Sequence, residues 1–356
     1  MNLRKKYIKA VKKEINDYIP YYFHLTPPQV DNYKAKYGSI PYSEKFKFPF
    51  RDVRAKYIGE NPEEKFSEYL ISWKNKQNLS VGIFGDVQIK ASDSHFTHKE
   101  AIMKDFSSIE EFDNYPYPDP INEFDWDQLN REVGEIHHRG LAVMGQLAIT
   151  IFEIGWYLRG MEQMLMDFIK NQELLNFHLD KITEIRCLQA QKMAEAGVDV
   201  LHLGDDIATQ RGMMIQPQSW RKFLKNRLAK VINSAKRVNS DLLIKYHTDG
   251  NPEEVIPDLI EIGVDILNPI QPECIDPVFV KEEYGESLAL DGTLGTQSVF
   301  PFGSPQDVKK QCLKRIKTCG YNGGLILAPS HTIEPEVPWE NIEAFINTVR
   351  NYNNKN

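Results

Sequence analysis

Aspartate, histidine and cysteine side chains stand beside turn residues at several points in the second half of this chain. Asp205 and Asp206 follow Leu203-Gly204, His247 and Asp249 sit in Tyr246-His247-Thr248-Asp249-Gly250, and His331 ends Ala328-Pro329-Ser330-His331. Cys274 closes Asn268-Pro269-Ile270-Gln271-Pro272-Glu273-Cys274, and Asp291 precedes Gly292. One residue separates His247 from Asp249, so an extended segment projects both side chains to the same side. Such a pair, joined by a remote histidine, offers imidazole and carboxylate to zinc or a similar divalent ion and leaves a coordination position for substrate. Plainer roles compete with this one. Asp249, ahead of Gly250-Asn251-Pro252, suits a turn in which its carboxylate accepts backbone N–H groups. His247 also suits a hydrogen-bonded core imidazole, and His331 a cap on the segment after it. Cys274 reads either as an inert thiol or as a ligand. Asp205 and Asp206 are adjacent and cannot face the same way in a strand, which leaves one for the site and the other for capping or ion pairing.

These residues need a scaffold that brings distant segments together. Short apolar or β-branched runs alternate with amphipathic stretches, the pattern of repeated βα units. Eight candidate strands can be counted: Ile19–Leu25, Val81–Val87, Leu141–Ile151, Asp199–Gly204, Leu242–His247, Val264–Ile270, Ser287–Asp291 and Gly324–Ala328. Eight is the number that closes an α/β barrel. Between Gln218 and Lys236, Trp220, Phe223, Leu224, Leu228, Val231 and Ile232 recur at helical spacing behind Pro217, which suits a helix entrance. Asn251-Pro252-Glu253-Glu254 opens another helix, with a capping Asn and acids near the positive end of the dipole, and Gly263 closes it. The expected fold is therefore a (β/α)8 TIM barrel with an N-terminal extension, read as a single domain over residues 1–356. Its core spans about 79–349, and residues 1–78 form the extension with the first strand. Ser92–Asp127, rich in aromatics, Pro and Asp, is expected to be an insertion over the barrel mouth. In such barrels the chemistry lies at the C-terminal ends of the strands, where every residue named above falls.

Composition narrows the partners. A net charge of −7 and a pI near 5.8, with no basic block interleaved with aromatics, argue against nucleic acid. The start, MNLRKKYIKAVKKEINDY, lacks the apolar run of a secretory signal, and no stretch approaches the roughly 20 apolar residues that span a bilayer. A cytoplasmic location and no membrane partner are expected. Cys187, Cys312 and Cys319 form no CxxC pair and read as free thiols in or near the core.

Several of these segments, in order, resemble the uroporphyrinogen decarboxylase superfamily. MGQLAITIFEIGWYLRG and AEAGVDVLHLGDDIATQRGMMIQPQSWRKF are similar to its central part. YHTDGNPEEVIPDLIEIGVDILNPIQPE, LALDGTLGTQSVFPFGSPQDV and GGLILAPSHTIEPEVPWENIEAF are similar to its C-terminal half. The likeness covers roughly Leu141 to Val349. That superfamily holds true decarboxylases and corrinoid-dependent methyltransferases. The decarboxylases carry an Arg-rich N-terminal motif for the substrate's carboxylates, whereas the first strand here reads Ile19-Pro20-Tyr21-Tyr22-Phe23-His24-Leu25-Thr26, without arginine. The methyltransferase branch holds zinc with a His-x-Cys pair and a later Cys. His247 matches that pattern, while Asp249 and His331 replace its thiolates.

The resemblance to this branch implies an enzyme with one zinc per chain on His247, Asp249 and His331, and with Asp206 or Cys274 as a further or outer group. A harder donor set than thiolates leaves the metal a better Lewis acid, suited to polarising a methyl ether oxygen. The implied function is zinc-dependent transfer of a methyl group from a small methylated substrate, most simply a methyl ether, to cobalt. No D-x-H-x-x-G sequence is present, so the corrinoid would arrive on a partner protein. Asp206, Asp249 and His247 are then the catalytic group. Tyr21, Tyr22, Phe23, Phe84, Phe152 and Trp156 would wall the substrate, Arg211 would pair an acid, and Asp291, Thr296 and Gln297 would shape the floor, in a monomer or homodimer. A second reading drops the metal and makes Asp206, Asp249 or His247 the acid/base of a decarboxylase acting on a small or tetrapyrrole acid. A third is a corrinoid- or tetrapyrrole-binding protein that turns nothing over.

Overall fold

A computed structural model describes residues 1–73, 76, 78–90 and 97–355. Seven parallel strands form one curled sheet in chain order: β1 (Phe50–Val53), β2 (Ala142–Ala148), β3 (Val200–Gly204), β4 (Leu243–His247), β5 (Ile266–Asn268), β6 (Ala289–Asp291) and β7 (Leu325–Ile326). An eighth stave is the segment around Tyr21, which bridges in parallel to Leu327 and, four residues on, from Leu25 to Ile333. Leu327 N–H donates to Pro20 O and Ile333 N–H to His24 O, both at 2.8 Å. Pro20 has no N–H to return, which limits this stave to isolated bridges. On its other side, aromatic side chains make the join: the Tyr22 and Phe50 rings meet at 5.1 Å and the Tyr21 and Phe48 rings at 6.2 Å. The barrel expected from the sequence is thus the fold.

One strand lies elsewhere than expected. Val81–Val87 is not the second barrel strand. It is a tight turn between Leu79–Val81 and Val87–Lys90, which pair antiparallel and continue to Thr97–Glu100. Gly82 and Gly85 make the turn, Gly85 at φ +87° with its N–H on Gly82 O. The second stave is β1, Phe50-Arg51-Asp52-Val53, whose two central charges hide it from any search for apolar runs. Asp52 faces the barrel mouth, where it accepts from Gln146 Nε2 at 2.5 Å, and Arg51 Nη1 donates to Phe50 O at 2.8 Å and Phe48 O at 3.1 Å. The antiparallel sheet and the following loops cover the ends of β1 and β2, enclosing a cavity of about 300 Å³ bordered by Phe84, Trp126, Gln146 and Tyr157. The expected insertion is therefore present, although Ser92–Phe96 of it lie outside the described residues.

Alternation along the strands separates two environments. Leu201, Leu203, Ile244, Tyr246, Leu267 and Leu290 are buried in the hydrophobic core. The helix Asn226–Lys236 buries Leu228, Val231, Ile232 and Ala235 and lies along Gln172–Glu195. Each large aliphatic side chain so buried contributes roughly 1.5–3 kcal/mol. Inward-facing positions are polar instead: Gln146, His202, Lys245 and His247. The helix expected after Asn251 opens as a 3-10 turn, Glu253–Val255, and becomes α-helical at Ile256. Ser304 and Asp307 form a capping box with Pro305 at the first helical position, and Asn251 accepts from Glu253 N–H at 3.1 Å.

Candidate metal centre at the barrel mouth

Three side chains converge where β3 and β4 end. Asp206 leaves the end of β3, His247 ends β4, and Asp249 follows one residue later. One donor atom from each lies within 4.8 Å of the other two. His247 Nε2 is 3.7 Å from Asp206 Oδ1 and 3.9 Å from Asp249 Oδ1. The loop that carries Asp249 is held from three sides. Asp249 N–H donates to Asp206 Oδ1 at 2.9 Å, Thr248 N–H to Asn268 O at 2.8 Å, and Gly250 N–H to Gln271 Oε1 at 3.3 Å. Gly250 takes φ +88° against the Thr209 carbonyl, where a Cβ would collide. Across β4 and β5, in register, Asn268 Oδ1 meets His247 Nδ1 at 2.7 Å. Burial and the neighbouring Asp206 push the Asp249 carboxyl above its usual range, while His247 and His331 draw it down.

The adjacent aspartates divide the work. Asp205 is buried and turns to the helix Phe152–Arg159, where it accepts N–H bonds from Thr150, Ile151 and Glu153, each at 3.0 Å. Burial pushes its pKa up to about 6 against the pull of those N–H groups. Asp206 turns to the mouth. Its own N–H donates to Glu153 Oε2 at 3.1 Å, and Tyr157 Oη donates to Glu153 Oε1 at 2.7 Å. Burial, with Asp205 and Asp206 nearby, pushes Glu153 up to about 8. Glu153 therefore stays mostly neutral at pH 7 and adds little negative charge to the mouth.

The remaining expected residues fall around this centre. His331 is exposed and Cys274 half-buried, and both lie outside the three-residue group. Burial, then Glu273 and Asp249, raise the Cys274 thiol, which disfavours the thiolate. Asp291 is fully buried and paired with Lys245 at 2.6 Å. Tyr22 and Phe23 border a cavity of about 420 Å³ with His24, Tyr42 and Asp52, and Phe84 borders the smaller one. Tyr21 donates its hydroxyl to Phe46 O at 2.7 Å, and Phe152 is fully buried near Phe168. Trp156 is half-buried on Tyr157, Arg211 and Gln297 are exposed, and Thr296 Oγ1 meets Ser330 Oγ at 3.3 Å. Sequence reasoning missed Glu153, Lys245 and Asn268. The first two were visible as lone charges inside apolar runs, ITIFEIGW and DLLIKYH. Asn268 carried no such signal.

The arrangement suits a divalent cation. It offers one nitrogen and carboxylate oxygens, and its imidazole is oriented by a second amide, as metal-bound histidines commonly are. Fold and site together define a parallel α/β barrel with a candidate metal centre at its C-terminal face. The chain belongs to the uroporphyrinogen decarboxylase (URO-D) family, whose model matches residues 103–352. It is 28% identical over 179 residues to methylcobamide:CoM methyltransferase MtaA of Methanosarcina barkeri, covering 50% of this chain and 49% of that protein. It is 24% identical over 178 residues to uroporphyrinogen decarboxylase of Trichodesmium erythraeum, covering 50% and 48%. The matched stretch thus spans about half the length of these relatives. A solved methyltransferase from Methanosarcina mazei shares the fold, with a TM-score of 0.68 over 99% of both chains at 19% identity.

Proposed function

We propose that this protein is a corrinoid-dependent methyltransferase that moves a methyl group from a small methylated donor, most simply a methyl ether, to the cobalt of a separate corrinoid protein. The observation that carries this reading is the Asp206–His247–Asp249 cluster at the barrel mouth, in a chain related to a methylcobamide:CoM methyltransferase. Zinc is the best match for the donor set, with His331 or Cys274 as reserve donors and a position left to substrate. When bound, the ion would supply Lewis acidity at the ether oxygen.

The chain's own groups do the positioning. Asp206 and Asp249 supply negative charge on one side of the mouth, and His247 presents Nε2 between them. Asp205 fixes the helix that brings Glu153 against Asp206 N–H. The covering sheet and loops limit water at the ends of β1 and β2. The corrinoid, held by the partner protein, would supply the nucleophile for the methyl carbon, while Asp206, His247 and Asp249 would hold the ion that stabilises the departing oxygen until it takes a proton.

Metal content tests the centre. Protein purified without added metal and then offered zinc is expected to hold about one ion per chain, with His247→Ala and Asp206→Ala losing it. Methyl ethers are then screened with a cobalt(I) corrinoid acceptor, with the methylated corrinoid followed by its visible spectrum. A parent chain that takes up no zinc at neutral pH sinks the ligand assignment and favours metal-free acid/base chemistry at the same mouth.

A further inference from the structure

Inside the barrel, on the side of Asn268 away from His247, Tyr22, Lys245, Asn268 and Asp291 form one hydrogen-bonded unit. Lys245 Nζ lies 2.6 Å from Asp291 Oδ2, with both side chains shielded from water. Tyr22 Oη lies 3.1 Å from the same carboxylate oxygen and 2.9 Å from Lys245 Nζ. Asn268 Nδ2 reaches Tyr22 Oη at 3.3 Å, and Asn268 Oδ1 lies 2.7 Å from His247 Nδ1.

The proton directions in this unit follow from what each group can do. An ammonium only donates, an ionised carboxylate only accepts, and a phenol has a single proton. Lys245 therefore donates to Tyr22, and the Tyr22 O–H donates its hydrogen bond to Asp291. Burial pushes the Tyr22 phenol well above its usual range, so that proton stays. Only lone pairs of Tyr22 remain for Asn268, so the carboxamide turns its NH2 to Tyr22 and its oxygen to His247. Facing a carbonyl oxygen, Nδ1 must carry the imidazole proton. In the neutral ring Nε2 is then left with the lone pair, toward Asp206 and Asp249.

We propose that Tyr22, Lys245 and Asp291 are positioning residues that act through Asn268 to hold His247 in the Nδ1–H tautomer. The consequence for metal binding rests on the function proposed above, whereas the tautomer itself is a property of the metal-free chain. Stability alone does not account for the unit, because replacing a buried ion pair by apolar groups of similar volume is often neutral or favourable. Without an oriented partner, neutral imidazole distributes its proton between its two nitrogens.

The test uses ¹⁵N-labelled, metal-free protein and long-range ¹H–¹⁵N spectra recorded at a pH high enough to keep the ring neutral, with His247→Gln assigning the signal. The parent is expected to show the Nδ1–H form. Tyr22→Phe keeps the ring but frees the carboxamide to flip, and is expected to show mixed tautomers. Adding Asn268→Asp to Tyr22→Phe restores Nδ1–H, since a carboxylate can only accept. Zinc affinity, read by chelator competition, should fall roughly 10- to 100-fold in Tyr22→Phe and recover in the double variant. An Nε2–H parent overturns the proposal, as does a Tyr22→Phe protein equal to the parent in both tautomer and zinc affinity. An Nδ1–H parent that binds no zinc supports the positioning role while sinking the metal reading.

Discussion

Lys245 and Asp291 show how much one interior charge weighs. Lys245 is 2% exposed and Asp291 0%, and Asp291 Oδ1 has no hydrogen-bond partner among the described residues. Lys245→Met would leave the carboxylate without its counter-charge in a dry interior, at a cost of about 3–5 kcal/mol. Lys245→Met/Asp291→Leu removes both charges and should recover most of that loss, as read from urea midpoints. A second residue-scale test concerns the backbone beside the centre. Gly250→Ala places a side chain at positive φ and drives its Cβ into the Thr209 carbonyl. We expect at least about 1 kcal/mol of lost stability in urea unfolding and weaker zinc binding, because the displaced segment carries Asp249.

At the scale of elements, the helix Phe152–Arg159 is held by an aspartate from the end of β3. Asp205 satisfies three N–H groups at its N-terminal end, and those donors are buried with it. Ser304 does a related task at the start of Pro305–Cys319, but on the exposed surface. Ser304→Ala should therefore cost about 1 kcal/mol, the ordinary worth of a cap. Asp205→Ala should cost more, about 2–3 kcal/mol, because water cannot replace the lost acceptor. Zinc affinity separates the two variants further. It should drop in Asp205→Ala, whose helix positions Glu153 against Asp206, and stay unchanged in Ser304→Ala.

At the scale of the molecule, the insertion is tied to the barrel's outer helices through a neutral histidine. His178, in the helix Gln172–Glu195, meets Gly155 O through Nε2 at 3.1 Å and Tyr117 Oη through Nδ1 at 3.2 Å, beside the Phe112 ring. Burial pushes its pKa down to about 4. Between about pH 6.5 and 4 the unfolded chain binds a proton that the folded chain refuses, so stability falls as pH drops through that window. The loss should reach about 3 kcal/mol by pH 4. Urea unfolding at pH 7 and 5 should show this slope in the parent and a flatter one in His178→Gln. Metal acts on the same balance from the other side. Zinc at a hundredfold above its Kd should raise stability by about 2.7 kcal/mol in the parent and not in His247→Ala.

The alternation of apolar runs and amphipathic stretches was enough to specify the barrel and most of its strands, because the strand face that packs against the surrounding helices must be written in apolar residues. The turn chemistry after β3 and β4 likewise marked Asp206, His247 and Asp249, since side chains at strand ends are placed by the strands themselves. Phe50–Val53 could not be read that way. Its Asp52 is polar because it faces the mouth, a fact that exists only once Gln146 lies across from it, and Arg51, on the other side of the strand, donates to the Phe48 and Phe50 carbonyls. Nor could Tyr22, Lys245, Asn268 and Asp291 be grouped from spacing, since more than 200 residues separate Tyr22 from each of the others. Only closing the barrel brings them within hydrogen-bonding distance, and only there do their proton directions decide how His247 faces the site.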